Sequence, residues 1–185
     1  MKNQTYLVRS NQPSSFSLGH RAMRALWSVI WLFLFRLSPR MCHGWRRFLL
    51  RLFGAQIGQD VKVYPSARVW APWNLTMHDF AVIGPSVDCY CVAPITIGAQ
   101  SSVSQYSYLC TATHDFEDPD FQLSAQPIII EDQVWIAVDV FVGPGVVIHQ
   151  GAVVGARSSV FTNLPAWKVC YGSPAKPERD RIVKA

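Results

Sequence analysis

The stretch Ile130-Glu131-Asp132-Gln133-Val134-Trp135-Ile136-Ala137-Val138-Asp139-Val140-Phe141-Val142-Gly143-Pro144-Gly145-Val146-Val147-Ile148 decides the fold. An aliphatic residue returns every six positions at Ile130, Ile136, Val142 and Ile148, and the series continues to Val154 and Val160. A second series stands four residues behind the first: Val134, Val140, Val146, Ala152, Ser158 and Leu164. Helices repeat near 3.6 residues and strands at two, so neither explains this period. Six is the repeat of a parallel β-helix, where each hexapeptide forms one flat side of a triangular coil. The usual hexapeptide is an aliphatic residue, a small one, two free positions and a small or β-branched one. Val142-Gly143-Pro144-Gly145-Val146 and Val154-Gly155-Ala156-Arg157-Ser158 fit it.

Upstream the repeat is interrupted. Ile57, Val63 and Val69 share one frame, Ile83 and Cys89 a second, and Ile97, Val103 and Leu109 a third. With roughly eighteen residues per turn, the spans 57–114 and 130–165 predict a mainly β fold of roughly five turns. A β-sandwich has no reason to keep a six-residue period. A solenoid also needs a cap at each end. The predicted organisation is a helical head over 1–54, a β-helix over 55–166 with a projecting loop at 115–129, and a tail over 167–185.

The charge is unevenly spread. The net charge is +5, yet residues 1–59 hold nine Lys and Arg and no acid, leaving −4 for the rest. The apolar run Ala25–Phe35 lies between Arg24 and Arg36, and a second basic, apolar stretch covers Trp45–Phe53. Pro39 separates the two. Eleven residues, of which Ser28 is polar, are too few to span a membrane, which takes about twenty.

Three readings of the head stand. It caps the first coil; it lies on an anionic membrane face as a basic, aromatic-rich helix pair; or it is a cleaved leader. Against the last, no A-x-A site follows Phe35. No nucleic-acid-binding motif accompanies the charge. The five cysteines have no framework spacing, which suits reduced thiols in a cytoplasmic protein.

The repeat stops at Leu109-Cys110-Thr111-Ala112-Thr113-His114 and resumes at Ile130. An insertion cannot enter the shaft of a solenoid, so it projects from a corner, and such loops commonly carry sites. His114 stands where the loop leaves, and histidine suits proton abstraction from a hydroxyl near neutral pH. Asp115, Glu117, Asp118 and Asp120 could orient it or meet substrate hydroxyls. The spacing of three histidines that zinc-binding β-helices use is missing, so no metal is expected.

The six-residue repeats, Thr111-Ala112-Thr113-His114, Val134-Trp135-Ile136 and Gly172-Ser173-Pro174-Ala175-Lys176 resemble the hexapeptide-repeat acyltransferases, in the branch of the maltose and galactoside O-acetyltransferases. Pro72-Trp73-Asn74-Leu75-Thr76, Leu109-Cys110-Thr111 and His114-Asp115-Phe116-Glu117-Asp118-Pro119-Asp120-Phe121 resemble more narrowly the colanic acid biosynthesis acetyltransferases. The similarity covers residues 20–178.

The resemblance implies a left-handed β-helix, a homotrimer with sites between subunits, acetyl-CoA as donor and His114 as general base. By the same resemblance Trp135 lines the acetyl-CoA tunnel and the Ala156 backbone touches the pantetheine arm. Ala137 replaces a usual glycine. Cys91 falls where relatives place Asn or Asp against the substrate, with Asp88 as substitute. Phe161-Thr162 replaces a usual Thr-Lys, leaving Arg157, Lys168 or Lys176 to meet the nucleotide phosphate.

These residues lead to O-acetylation of a sugar or lipid-linked glycan acceptor. Two other readings remain: a non-catalytic trimeric scaffold that binds CoA, and an acyltransferase for another acceptor such as an amino sugar or serine.

Overall fold

The computed structural model describes residues 16–183. Lys2 and Arg9, two of the nine basic residues of the head, lie outside them. The core of the fold is a parallel β-solenoid with three faces. The first face stacks Gln56–Ile57, Leu75–Met77, Ile95–Ile97, Ile128–Ile130 and Val147–Ile148. The second stacks Lys62–Val63, Val82–Ile83, Ser102–Val103, Trp135–Ile136, Val153–Val154 and Lys168–Gly172. The third stacks Arg68–Val69, Asp88–Tyr90, Tyr108–Cys110, Phe141–Val142 and Ser159–Val160. Aliphatic residues of all three faces fill the shaft, which is closed to solvent at Val63, Ile83, Ile97, Ile136, Val142 and Val154.

Ile57, Met77, Ile97, Ile130 and Ile148 are successive register partners, so the coils measure 20, 20, 33 and 18 residues. The three separate frames of the sequence therefore belong to one stack. Each of the first two coils carries two extra residues at the corner entering the first face. The 3₁₀ turn Pro72–Asn74 occupies one such corner, and the Asn74 side chain donates to the Cys91 and Val92 carbonyls of the next.

The expected count of five turns is corrected to about six. Leu164 follows Val160 by four residues, yet it bridges to Ile148 and starts another coil. Cys170, six residues on, pairs with Val154 and is buried. Ala175–Asp180 then folds back antiparallel on Lys168–Gly172 and ends the sheet.

The head comprises helix α1 (Leu18–Ile30), a π turn (Trp31–Phe35) and helix α2 (His43–Leu52). It closes the open end of the solenoid in a specific way. Along the stack, the Gly58, Lys62, Tyr64, Arg68 and Trp70 N–H groups donate to the Met77, Ala81, Ile83, Val87 and Cys89 carbonyls one coil on. The matching first-coil carbonyls have no earlier coil to bond them, and an unpaired buried carbonyl is costly. Side chains of the head supply all five donors. Arg51 bonds Ile57 O, Arg47 bonds Val61 O and Arg46 bonds Val63 O at 2.7, 3.1 and 2.6 Å. Trp31 bonds Ala67 O and Trp27 bonds Val69 O at 2.8 and 2.7 Å. The Arg46 guanidinium is fully buried and donates also to Ser38 Oγ and to the Pro39 and Arg40 carbonyls.

Candidate functional site

Thr111 turns the chain out of the solenoid. Its buried hydroxyl donates to the Tyr90 carbonyl at 2.8 Å and accepts from the Ala93 N–H at 3.0 Å. The excursion is a β-hairpin, with Ala112–His114 antiparallel to Leu123–Ala125. Its tip is built by its acids: Asp115 Oδ1 accepts from the Glu117 and Asp118 N–H groups, and Asp118 Oδ1 from that of Asp120.

His114 ends the first strand of the hairpin, exposed to solvent. Its ring stacks on Phe121 at 4.5 Å between centroids and 9° between planes. Nδ1 lies 2.9 Å from the Phe121 carbonyl oxygen. A carbonyl only accepts, so Nδ1 carries the proton and the neutral ring keeps its lone pair on Nε2. The orienting group is thus a backbone carbonyl. Asp115 Oδ1 holds the turn, so the hydrogen bond that orients the ring does not come from that acid.

Asp88 projects from the third face, half-buried, in register with Arg68 and Tyr108. Burial pushes its carboxyl above the usual range, against the pull of Arg68. It borders a cavity of about 440 Å³ between α1 and the third face, which Arg24, Trp31, Arg68, Trp70 and Tyr90 also line. The Arg24 guanidinium lies 3.7 Å from the Trp70 ring centre, and among the described residues its buried Nε has no hydrogen-bond partner. From Trp70 an aromatic ladder climbs through Tyr90, Tyr108, Phe141 and Phe161 in steps of 5.5, 6.3, 5.8 and 5.6 Å. The sequence reading missed this cavity. The signal was there in Arg68, Asp88 and Tyr108 at 20-residue spacing, legible only once the coil length is known.

Cys91 is placed in the interior. Its thiol bonds the backbone of Ala71, and burial pushes its pKa up to about 11. No substrate can reach it there, which corrects the expectation of a contact. The physical reason is that Cys91 sits at a corner whose inner side closes the shaft.

Trp135 lies half-exposed on the second face with its indole N–H donating to Ser104 Oγ at 3.1 Å. Ala137 is buried at the next corner, its N–H donating to Val154 O and its carbonyl accepting from the Ser107 hydroxyl. Ala156 and Arg157 are exposed at the equivalent corner one coil on, Arg157 beside Asp139 at 3.4 Å. Lys168 is paired with Asp180, whereas exposed Lys176 makes no ion pair among the described residues.

These positions form a line along the second face and its far corner. His114 leaves from the corner between the third and first faces. A single chain does not bring the two together. His149 also has a partner the sequence did not suggest: Glu131 accepts from the Gln150 N–H and lies 3.1 Å from His149 Nδ1. Among the described residues no three His, Cys, Asp or Glu side chains gather as a metal site.

A scan against protein-family models finds no match. Similar proteins are found by sequence and by structure. "Putative colanic acid biosynthesis acetyltransferase WcaF" of Escherichia coli (strain K12) is 48% identical over 170 residues, 92% of this chain and 93% of the relative. The hexapeptide-repeat acetyltransferase VCA0836 of Vibrio cholerae, solved with acetyl coenzyme A, matches with a TM-score of 0.82 at 25% identity. The match covers 95% of this chain and 96% of that one. A galactoside acetyltransferase in complex with coenzyme A shares the fold, with a TM-score of 0.82 at 22% identity over 91% of this chain and 86% of its own. With its solenoid and this degree of identity, the chain belongs to the hexapeptide-repeat acetyltransferases, in the group of the colanic acid biosynthesis acetyltransferases.

Proposed function

We propose that the chain transfers an acetyl group from acetyl-CoA to a hydroxyl of an acceptor sugar in exopolysaccharide assembly, with His114 as general base. The observation that carries this reading is the ring of His114. It is exposed, stacked on Phe121 and held through Nδ1, which leaves the lone pair of the neutral ring on Nε2.

Acetyl-CoA supplies an activated thioester carbonyl. The residues fit such a co-substrate: an exposed indole at Trp135, a small exposed corner at Ala156, and cationic Arg157 and Lys176 beyond. In the proposed step Nε2 takes the hydroxyl proton as the sugar oxygen attacks that carbonyl. Backbone N–H groups meet the developing oxyanion. The C–S bond then breaks, and the proton passes from the imidazolium to the departing thiolate. Direct transfer in a ternary complex needs no covalent enzyme intermediate.

The separation of His114 from the second-face line supports a homotrimer of left-handed coils, in which one subunit's hairpin meets a neighbour's second face. The cavity at Asp88, one of whose walls is Tyr90, bonded through its carbonyl to Thr111 at the root of the hairpin, suits the acceptor, with Trp70 as a stacking surface and Arg24 and Asp88 as polar anchors. An acceptor on a lipid carrier would station the enzyme at the inner, cytoplasmic face of a membrane.

The test is free-thiol release from acetyl-CoA over a panel of sugars, nucleotide sugars and lipid-linked oligosaccharides. His114→Ala should lower acceptor-dependent turnover by about 10²–10⁴ while the assembly keeps its mass. Unchanged turnover would remove the base assignment. Acetyl-CoA binding without any turnover in the wild type would favour a scaffold.

A further inference from the structure

The head is apolar on two opposite sides. Its inner side, with Trp27, Phe35, Leu49 and Leu50, is buried. Its outer side exposes Leu26, Val29 and Phe33, and on α2 Trp45, Phe48 and Leu52. Both sets keep the i, i+3, i+7 spacing of one helical stripe. The two stripes adjoin. The Trp45 indole donates to the Leu34 carbonyl at 2.9 Å, and Met23, Leu26 and Leu52 share an apolar groove of about 730 Å³ with Trp73. The connection adds Leu37 and Met41, 72% and 91% exposed. A cap needs only one apolar side. A contiguous exposed patch of this kind marks an interaction surface.

The charge around the patch names what covers it. Residues 16–59 carry Arg21, Arg24, Arg36, Arg40, Arg46, Arg47 and Arg51 and no acid. Arg46, Arg47 and Arg51 serve the first-coil carbonyls. Arg36 and Arg40 lie over the Trp31 and Tyr64 rings and make no ion pair among the described residues. Within the described residues the one ion pair of the head is Arg47 with Asp60, at 3.9 Å. The occupant must therefore be apolar at its centre and negative at its rim. The head of a second copy would bring the same positive charge against this one, which is repulsive. An anionic bilayer offers both features.

We propose that the outer face of the head, centred on Val29, Phe33, Trp45 and Phe48, docks on an anionic phospholipid bilayer, with the exposed guanidinium groups of Arg21, Arg36 and Arg40 meeting headgroups. The head lies in the interface plane, since no helix among the described residues is long and apolar enough to cross a membrane. The proposal rests on the transfer reaction only for its purpose, bringing the site to a membrane-borne acceptor. The docking itself stands on the head alone.

The experiment is co-sedimentation of the full-length protein with vesicles of one-third phosphatidylglycerol in phosphatidylcholine, and with phosphatidylcholine alone. Wild type should pellet with the anionic vesicles only, and high salt should release it. Phe33→Asp with Phe48→Asp, and separately Arg21→Glu with Arg36→Glu, should each lower the partition coefficient by about ten-fold or more. If the first pair does not fold, Leu37→Asp with Met41→Asp applies the same test at two of the most exposed positions. His114→Ala should bind like wild type, which separates failure of docking from failure of the reaction. Wild type left in the supernatant, or variants that still pellet, would overturn the proposal. So would a fall in molecular mass by light scattering in the apolar variants, which would assign the face to a second copy.

Discussion

The two ends of the solenoid meet the same difficulty with different chemistry. At the C-terminal end another strand, Ala175–Asp180, runs back along Lys168–Gly172, so backbone bonds backbone. At the N-terminal end the cap is helical, and a helix consumes its own N–H groups internally. Such a cap can offer an edge of carbonyls only side-chain donors. The five donors are three arginines and two tryptophans. A carboxylate facing that row of oxygens would be repelled. The absence of acids from residues 1–59 is thus in part a requirement of the cap. The charge that suggests an external partner first serves the chain's own backbone.

The contrast can be broken most severely at Arg46. Arg46→Leu leaves the Pro39 and Arg40 carbonyls without their donor and the Val63 carbonyl with only His43 Nδ1 in reach, at 3.0 Å, and the lost bonds are charge-assisted and made by a buried guanidinium. A loss of about 4 kcal/mol is expected, measured by urea unfolding of the full chain. A loss under about 1 kcal/mol would show that the carbonyls find other partners.

Trp27→Phe keeps most of the ring and removes one donor, so the Val69 carbonyl alone is orphaned. About 2 kcal/mol is expected by the same measurement. Trp31→Phe, at a partly exposed site, should cost less than Trp27→Phe. The reverse order would show that cavity formation, and not the lost bond, governs the cap.

At the other end, Arg181 donates to the Gln133 and Gly151 carbonyls beside Trp167. Backbone pairing already secures that end, so Arg181→Ala should cost only about 1 kcal/mol. An effect as large as that of Arg46→Leu would dissolve the distinction between the ends.

The solenoid was legible because each rung needs one shaft-filling side chain, and that demand repeats every six residues whatever else the chain does. His114 was legible for a related reason, since an insertion has to leave at a corner. The coil count was not, because Leu164 follows Val160 by four residues and looks like the end of the repeat; nor was the unity of the upstream frames, because two extra residues at a corner shift the frame and look like an interruption in one dimension. Pro72–Asn74 makes such a shift without breaking the stack. Cys91 shows the same limit at the site. Its residue type and place in the repeat are plausible, but its thiol is buried against the Ala71 backbone.

The six-residue period by itself determined a parallel coil, a projecting loop and a histidine at its root, because these follow from local spacing. Only the tertiary structure decided which polar groups are free and which are consumed. Arg46 and Val63 are 17 residues apart, Trp27 and Val69 42, and Gln133 and Arg181 48. Partners at such separations meet only when the helices, turns and coils between them are all rightly placed, and no local pattern encodes that sum.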